Sequence, residues 1–231
     1  MQKVAFALAF YSSVLICNAQ QYNTITYKAG EDLIQHKDYL FPAFTTGTVN
    51  FKAGGSQSYK MNFSTLTCKI EFINPAGDTL SVSKPGEFSS VQIDSSTFYF
   101  VDGNYIEVIA ASDNIRLAVL RKVSFESVKI GAMGLRDKNH YQVDYTSLLS
   151  SQGTNKLTLD EDIDVKKKTT YVIILSDGSE MAASKSNFIK LFKPGKTDIE
   201  DFIKHEKINF YNTSDLKKLF LYCTSSTAKS Q

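Results

Sequence analysis

The stretch TFYFVDGNYIEVIAASDNIRLAVLRKV (Thr97–Val123) decides the fold that the sequence predicts. It contains three runs rich in β-branched and aromatic residues, separated by Asp-Gly and by Ser-Asp-Asn. An Asp-Gly pair between two apolar runs is a strong β-hairpin signal, because glycine readily adopts the positive φ that tight turns need. The stretch therefore predicts three consecutive antiparallel strands.

The same alternation of short apolar runs and turn residues extends on both sides of this stretch. The turn sequences AGG, NPAGD and KPGE interrupt the chain between about residues 47 and 97, and a further hairpin with a central Asp-Gly follows at 170–184. Short strands with frequent turn signals are typical of antiparallel β domains. The sequence predicts an antiparallel sheet or β-meander, arranged as a sandwich or a partly open barrel.

One strand carries a clear two-residue alternation. In KIEFI (Lys69–Ile73), the apolar Ile70 and Phe72 alternate with charged residues. Strict alternation indicates one buried face and one solvent-exposed face. The charged positions, Glu71 among them, are therefore predicted to face water.

From Ser184 the apolar period changes from two residues to about 3.6, which is typical of helices. Three triplets with i, i+3, i+4 spacing each define one apolar stripe. They are Phe188, Leu191 and Phe192; Ile199, Phe202 and Ile203; and Leu216, Leu219 and Phe220. Helices this short need an apolar surface to be stable, so we expect them to pack on the sheet, as an α+β fold.

The middle helix contains a sequence that imitates a nucleotide site. GKTDIEDFIKHEK (Gly195–Lys207) begins like the end of a phosphate-binding loop. However, Lys190 occupies the position at which such a loop requires its first glycine. Thr197 and Glu200 have the spacing of a capping box, and acids precede bases as the helix dipole favours. Asn209 is predicted to end the helix. We interpret the stretch as a helix without nucleotide chemistry.

The N-terminal sequence MQKVAFALAFYSSVLICNAQQ predicts a secretory signal peptide, with a basic start, a short apolar run and a cut after Ala19. Lipidation of Cys17 is the alternative, although the bulky Ile16 precedes it where a small residue is expected. No later segment is long and apolar enough to span a bilayer. The predicted organisation is a signal peptide (1–19), a lead-in (20–46), a β-rich domain (47–183) with an irregular excursion (125–168), a helical tail (184–224) and a disordered end (225–231).

The charge balance argues against nucleic-acid binding. Lys plus Arg number 26 and Asp plus Glu number 24, which gives a net charge of +2. Such a chain has no strong positive field to attract a phosphate backbone. We expect no nucleic-acid partner.

Cysteine and carboxylate patterns give no metal or cofactor prediction. Cys68 and Cys223 have no Cys or His at ligand spacing and are both predicted to be small buried hydrophobes, Cys68 on the apolar side of a strand. A disulfide between them is left open. The acidic run DEDID (160–164) lacks the EF-hand pattern, so we expect a solvated loop neutralised by Lys166–Lys168.

The sequence favours a non-enzymatic protein. It contains none of the motifs G-x-S-x-G, H-E-x-x-H, C-x-x-C and G-x-G-x-x-G. In the predicted excursion, Tyr141 and Tyr145 are candidates for an aromatic binding patch, and attachment of the excursion to the core is the competing interpretation. A hydrolase would need convergent carboxylates, for which Asp137, Asp144 and Glu126 are candidates.

Several segments together resemble an uncharacterised group of exported proteins of Bacteroidetes-type Gram-negative bacteria. They are the signal ending NAQ, FPAFTTGTVNFKAGG, MNFSTLTCKIEFINPAGDTLSV, TFYFVDGNYIEVI, YVIILSDGSEMAASKSNFIKLF, DIEDFIKHEKINF and SDLKKLFLYC. The resemblance implies an exported β-rich domain with a helical tail. It implies no activity, substrate or catalytic residue.

We therefore expect an exported protein, periplasmic or secreted, that acts as a non-enzymatic binding or structural module of the cell envelope or extracellular space. Its expected partner is a protein or an envelope component. The alternative is a hydrolase that acts on an envelope or extracellular polymer.

Overall fold

The computed structural model of the 231-residue chain describes residues 21–112, 114–128, 145, 149, 156–192 and 196–228. Eleven strands form one open sheet in which every pairing is antiparallel. They are β1 (Gln21–Tyr27), β2 (Thr45–Phe51), β3 (Ser56–Ser64), β4 (Lys69–Ile73), β5 (Thr79–Ser81), β6 (Phe88–Ile93), β7 (Ser96–Val101), β8 (Asn104–Ala111), β9 (Ile115–Ser127), β10 (Ile163–Leu175) and β11 (Glu180–Ala182).

The strand order across the sheet is β5-β4-β3-β2-β6-β7-β8-β9-β10-β1, and β11 pairs with the end of β10. The meander predicted at Thr97–Val123 forms β7, β8 and most of β9. Asp102 and Gly103, at the first turn, have φ values of 47° and 78°, as the Asp-Gly signal predicted. The antiparallel α+β fold is confirmed, and the sheet does not close on itself.

The structure differs from the predicted strand boundaries at three places. The segment 20–46 contains a full strand, β1, which pairs with β10. The excursion at 125–168 is shorter than predicted, because β9 continues to Ser127 and β10 already begins at Ile163. The polar residues in these parts of β9 and β10 interact between the two strands. For example, the Lys166 ammonium of β10 lies 2.6 Å from the Glu126 carboxylate of β9.

The acidic run at 160–164 is a solvated loop only at its start, where Asp160 is exposed and precedes β10. Asp164 is a buried residue of β10 and accepts a hydrogen bond from the Thr26 hydroxyl at 2.6 Å. Asp162 forms an ion pair of 2.7 Å with Lys28 and accepts from the Ala29 N–H at 2.9 Å. Through these contacts, the Asp162 and Asp164 carboxylates bind β1 and the segment after it to the start of β10.

The predicted solvent-exposed face of β4 is also covered. Glu71 has an exposed fraction of only 1%, and its carboxylate contacts the Lys37 ammonium at 3.1 Å and the Tyr39 hydroxyl at 2.8 Å. The chain before β2 crosses this face, because Tyr39 pairs with Ser64 at the end of β3. The local alternation was correct, but the prediction that Glu71 faces water was wrong.

Three C-terminal helices follow the sheet: α1 (Lys185–Leu191), α2 (Lys196–His205) and α3 (Thr213–Ala228). Ser184 caps α1 by accepting a hydrogen bond from the Asn187 N–H. The Asn212 side chain accepts from the Asp215 N–H at 3.1 Å and so caps α3. Helix α3 continues to Ala228, into the end that was predicted to be disordered.

The predicted termini of α2 were wrong. Thr197 lies inside the helix rather than at its N-cap, because α2 already includes Lys196. At the other end Lys207, with φ of 51°, adopts the left-handed conformation. The Ile208 N–H then bonds the Ile203 carbonyl at 3.1 Å, the 6→1 bond of a Schellman cap. The helix therefore ends before Asn209.

All three apolar triplets pack into one cluster with the sheet, which we call the helix cluster. Its sheet side consists of Ile109, Leu117, Val119 and Ile173 from β8, β9 and β10. Its helix side includes Phe188, Phe192, Ile199, Ile203, Leu216, Leu219, Phe220 and Cys223. The predicted packing of the helical tail on the sheet is confirmed. None of the helices in the described ranges combines the length and apolar character that crossing a membrane requires.

Two further clusters fill other parts of the sheet. One surrounds Phe63, Ile93 and Phe98, where β3, β6 and β7 meet. The other surrounds Phe125 and Val165, near the paired ends of β9 and β10. Arg121 of β9 lies in the sequence between Val119, which belongs to the helix cluster, and Phe125.

Candidate functional site

A cleft of about 420 Å³ lies where the turn before β4 approaches β8 and β9. Its volume is in the range of small-molecule sites. Its walls come from the turn before β4, from the segment after β5, from the turn between β7 and β8, and from β9. The lining residues are Thr67, Cys68, Lys69, Val82, Ser83, Pro85, Phe100, Gly103, Asn104, Tyr105, Arg121, Lys122 and Val123.

Strand pairing places the two polar residues at the floor of the cleft side by side. Tyr105 of β8 and Arg121 of β9 each lie one position beyond the paired residues Ile106 and Leu120. Because successive side chains alternate between faces, Arg121 shares the face of β9 that carries Val119. A cation on an otherwise apolar face needs a partner, since burial removes its hydration.

That partner is Glu107 of β8. The Arg121 guanidinium donates to one Glu107 oxygen at 2.6 Å, and the Ser96 hydroxyl donates to the other at 2.6 Å. Glu107 is buried, and the Arg121 side chain has an exposed fraction of 16%. The guanidinium also lies over the Phe63 ring, 5.9 Å from its centroid. Both carboxylate oxygens are thus engaged.

Arg121 still has hydrogen-bonding capacity. A guanidinium carries several N–H donors in a planar fork, and the bond to Glu107 uses one of its nitrogen atoms. In the described part of the chain, no other side chain or backbone acceptor bonds it. The remaining donors of Arg121 are available to a molecule in the cleft.

Two buried hydroxyl groups beside Arg121 have no hydrogen-bond partner among the described residues. They are the Tyr105 phenol and the Thr67 hydroxyl, which belong to residues that line the cleft. The exposed fractions of the two residues are 5% and 2%. Each buried group without a partner costs about 1–3 kcal/mol, so such groups are rare and mark places where a bound partner belongs. Burial raises the pKa of Tyr105, so its hydroxyl remains a donor at neutral pH.

The charge of the lining is positive. It contains Lys69, Arg121 and Lys122, and the described lining residues include no Asp or Glu. The apolar part of the lining is formed by Val82, Phe100 and Val123 with Pro85. The cleft thus combines a polar, cationic floor and rim with apolar walls.

Cys68 lies in this cleft but is a poor nucleophile. It occupies the turn before β4 with φ of 54°, rather than the apolar side of a strand as predicted. Burial raises the pKa of its thiol to about 11, against the opposing effect of the Arg121 and Lys167 charges. At neutral pH the thiolate that nucleophilic chemistry needs is therefore scarce.

Cys223 lies in the helix cluster and Cys68 beside the cluster around Phe63, and no disulfide joins them. Burial raises the pKa of the Cys223 thiol to about 12. Cys223 is buried, as predicted. Among the described residues, no group of three His, Cys, Asp or Glu side chains is arranged to hold a metal ion.

Of the site residues predicted from the sequence, the structure describes Tyr145 and Glu126, and neither lines this cleft. Tyr145 packs on the Phe125 ring at a centroid distance of 5.6 Å, beside the β9–β10 pairing. Its burial, together with the charges of Glu161 and Asp160, raises the pKa of its phenol. This placement agrees with the interpretation that the tyrosine attaches its segment to the core. Tyr141 lies outside the described residues.

Of the three carboxylates proposed for a hydrolase, the structure describes Glu126. Glu126 of β9 binds Lys166 through both of its oxygens, at 2.7 and 2.6 Å. Asp137 and Asp144 lie outside the described residues. The predicted signal peptide, its cut after Ala19 and Cys17 lie outside them as well.

Sequence reasoning missed Tyr105 and Arg121, although a signal was present. In IRLAVLRKV, the two-residue period that groups Leu117 with Val119 also groups Arg121 with them. A charged residue in phase with buried ones predicts a buried cation, and hence a partner or a ligand. Thr67 carried no such signal, because it lies in a turn.

A second depression, of about 510 Å³, lies between β10 and the segment before α3. Its lining includes Tyr171, whose hydroxyl is 2.9 Å from the Thr213 hydroxyl. The Ala183 N–H, also in the lining, bonds the Tyr171 carbonyl. These groups are already satisfied within the protein, so the first cleft is the stronger candidate for a ligand site.

Comparison of the chain with protein-family models, with curated proteins and with solved structures found no match.

Proposed function

We propose that the protein is an exported, non-enzymatic binding module that holds a small molecule in the cleft beside Tyr105 and Arg121. One observation carries the proposal: two residues that line the same cleft have buried hydroxyl groups without a partner among the described residues. A bound molecule that accepts hydrogen bonds from these hydroxyl groups would remove the free-energy cost of burying them without partners. The apolar part of the molecule would pack against the apolar walls of the cleft.

Export rests on the N-terminal signal sequence, with a periplasmic or secreted location in the cell envelope or extracellular space. We favour binding over hydrolysis of an envelope polymer because the described lining of the cleft supplies no carboxylate pair. Its thiol has a raised pKa, so it offers no ready nucleophile either. A cleft built this way recognises a ligand without transforming it.

The proposal is tested with N-phenyl-1-naphthylamine, an uncharged dye that fluoresces in apolar sites. We expect saturable binding to the purified protein with one site per chain. Val82→Trp, which fills the cleft wall, should abolish this binding. Val101→Trp is the matched control, because Val101 lies outside the cleft lining and is 43% exposed. Equal dye binding by both variants, or no binding by the unmodified protein, would exclude this cleft as a ligand site.

A further inference from the structure

The floor of the cleft differs from its walls in a way that indicates which end of a ligand enters first. Thr67 and Tyr105 are buried and the Arg121 side chain has an exposed fraction of only 16%, whereas Ser83, Gly103 and Lys122 are exposed. Val82, Phe100 and Val123 lie in the lining with them. A ligand that satisfies all of these groups has its polar end at the floor and its apolar body along the walls.

Each of these polar groups can donate a hydrogen bond, and the Arg121 guanidinium can only donate. Tyr105 and Thr67 each offer an O–H, and Arg121 offers the N–H groups not used by Glu107. A ligand group that accepts several hydrogen bonds at once fits this arrangement. A carboxylate has two oxygens with about four lone-pair sites, whereas the single oxygen of an alcohol has two.

The charges favour the same group. The lining carries Lys69, Arg121 and Lys122, and the neighbouring Glu107 offsets one of these positive charges. Lys167 adds a further cation close enough to act on Cys68, although it also pairs with Asp38 at 3.3 Å. An anion in the cleft therefore meets net positive charge at short range.

We infer that the ligand of this cleft is a carboxylate with an apolar body, such as a medium-chain fatty acid, held by Tyr105, Thr67 and Arg121 with its chain along the walls. This inference rests on the proposed function, since it names the ligand class of the same site. Charge-assisted hydrogen bonds from a guanidinium and two hydroxyls are among the stronger polar contacts in proteins.

The experiment compares decanoate with decanol as displacers of the bound dye at neutral pH, below the concentrations at which either aggregates. We expect decanoate to bind at least about 10-fold more tightly, as one charge-assisted contact is enough to produce. Equal affinities would overturn the inference but leave the proposed function standing. Failure of the dye itself to bind would overturn both.

The hydroxyl groups are tested with a Tyr105→Phe and Thr67→Val double variant. Removal of two buried groups without partners should leave the ligand-free protein at least as stable as before. Decanoate affinity should fall about 10- to 100-fold, and dye affinity should stay the same. Unchanged decanoate affinity in the folded variant would overturn the inference, and so would an equal loss of dye and decanoate binding. This variant avoids Arg121, whose removal would leave the Glu107 carboxylate buried without its cation.

Discussion

Replacement of Leu219 by alanine tests whether the helical tail and the sheet share one core. Leu219 of α3 has an exposed fraction of 0% and belongs to the helix cluster, together with Leu117 and Val119 of the sheet. Leu221, two residues later on the same helix, is 59% exposed. The two positions allow one chemical change to be made on the buried face and on the solvent face of a single helix.

The expected magnitude follows from this difference in burial. A fully buried Leu→Ala change removes apolar contacts and leaves a cavity, which costs about 2–5 kcal/mol of unfolding free energy. Leu221→Ala should change that free energy by less than about 0.5 kcal/mol, because Leu221 is largely in water and alanine is a good helix former. With a urea m-value on the order of 2 kcal/mol/M, the Leu219→Ala midpoint falls by about 1–2.5 M.

The assay is urea unfolding of both variants and the unmodified protein, followed by far-UV circular dichroism and by tyrosine fluorescence. If sheet and helices unfold together, both signals move to the same lower midpoint in Leu219→Ala. Equal midpoints for the two variants would refute the packing argument. An earlier, separate loss of the helical signal would refute the single shared core.

Further predictions concern Gly47 in the sheet, the Asp32 carboxylate and the two cysteine thiols. Gly47→Ala should lower the unfolding free energy by about 1–3 kcal/mol, because the new Cβ would lie 2.5 Å from the Gln92 carbonyl oxygen. Gly86→Ala is the control, because a Cβ there has no atom within 4 Å. Equal urea midpoints for the two variants would contradict the predicted clash at Gly47. Backbone N–H bonds, chiefly from Leu157, lower the pKa of Asp32 below its ordinary 3.8, so its contribution is present above that value and is lost as the pH falls through the folded-state pKa. Asp32→Asn should therefore destabilise the protein in urea titrations at about pH 7, and the effect should shrink as the pH is lowered below the ordinary pKa of 3.8; an effect that does not change with pH would refute the assignment. Burial raises the pKa of the Cys68 thiol to about 11 and that of the Cys223 thiol to about 12. Mass spectrometry should therefore find both thiols unalkylated by iodoacetamide in the native protein and labelled after denaturation. Rapid native labelling would contradict the raised pKa of the partly exposed Cys68 and the burial of Cys223.

The sequence predicted well those features that depend on neighbouring residues. Asp102–Gly103 predicted a hairpin, and the triplet of Leu216, Leu219 and Phe220 predicted one face of a helix. The end of α2 shows the limit of such local rules. Asn209 was predicted to end α2, but the helix ends at His205, and Lys207 then adopts a left-handed φ of 51° while Ile208 packs in the helix cluster.

The candidate site could not be found from local patterns. Thr67 and Arg121 are distant in sequence and share a cleft only because the turn before β4 approaches β9. The same holds for Glu71, which its own strand pattern assigned to water. Its burial depends on Lys37 and Tyr39, from a segment that precedes β2.

By itself, the amino-acid sequence determined the antiparallel strands, the three helices and the apolar stripe that each helix turns inward. These features depend on backbone geometry and on side-chain periods of a few residues. Only the tertiary structure decided which polar side chains are buried and which of them have partners. The reason is that distant segments of the chain determine which face of the sheet is covered. A hydroxyl group that is buried without a hydrogen-bond partner costs free energy, and a ligand that accepts its hydrogen bond recovers that free energy.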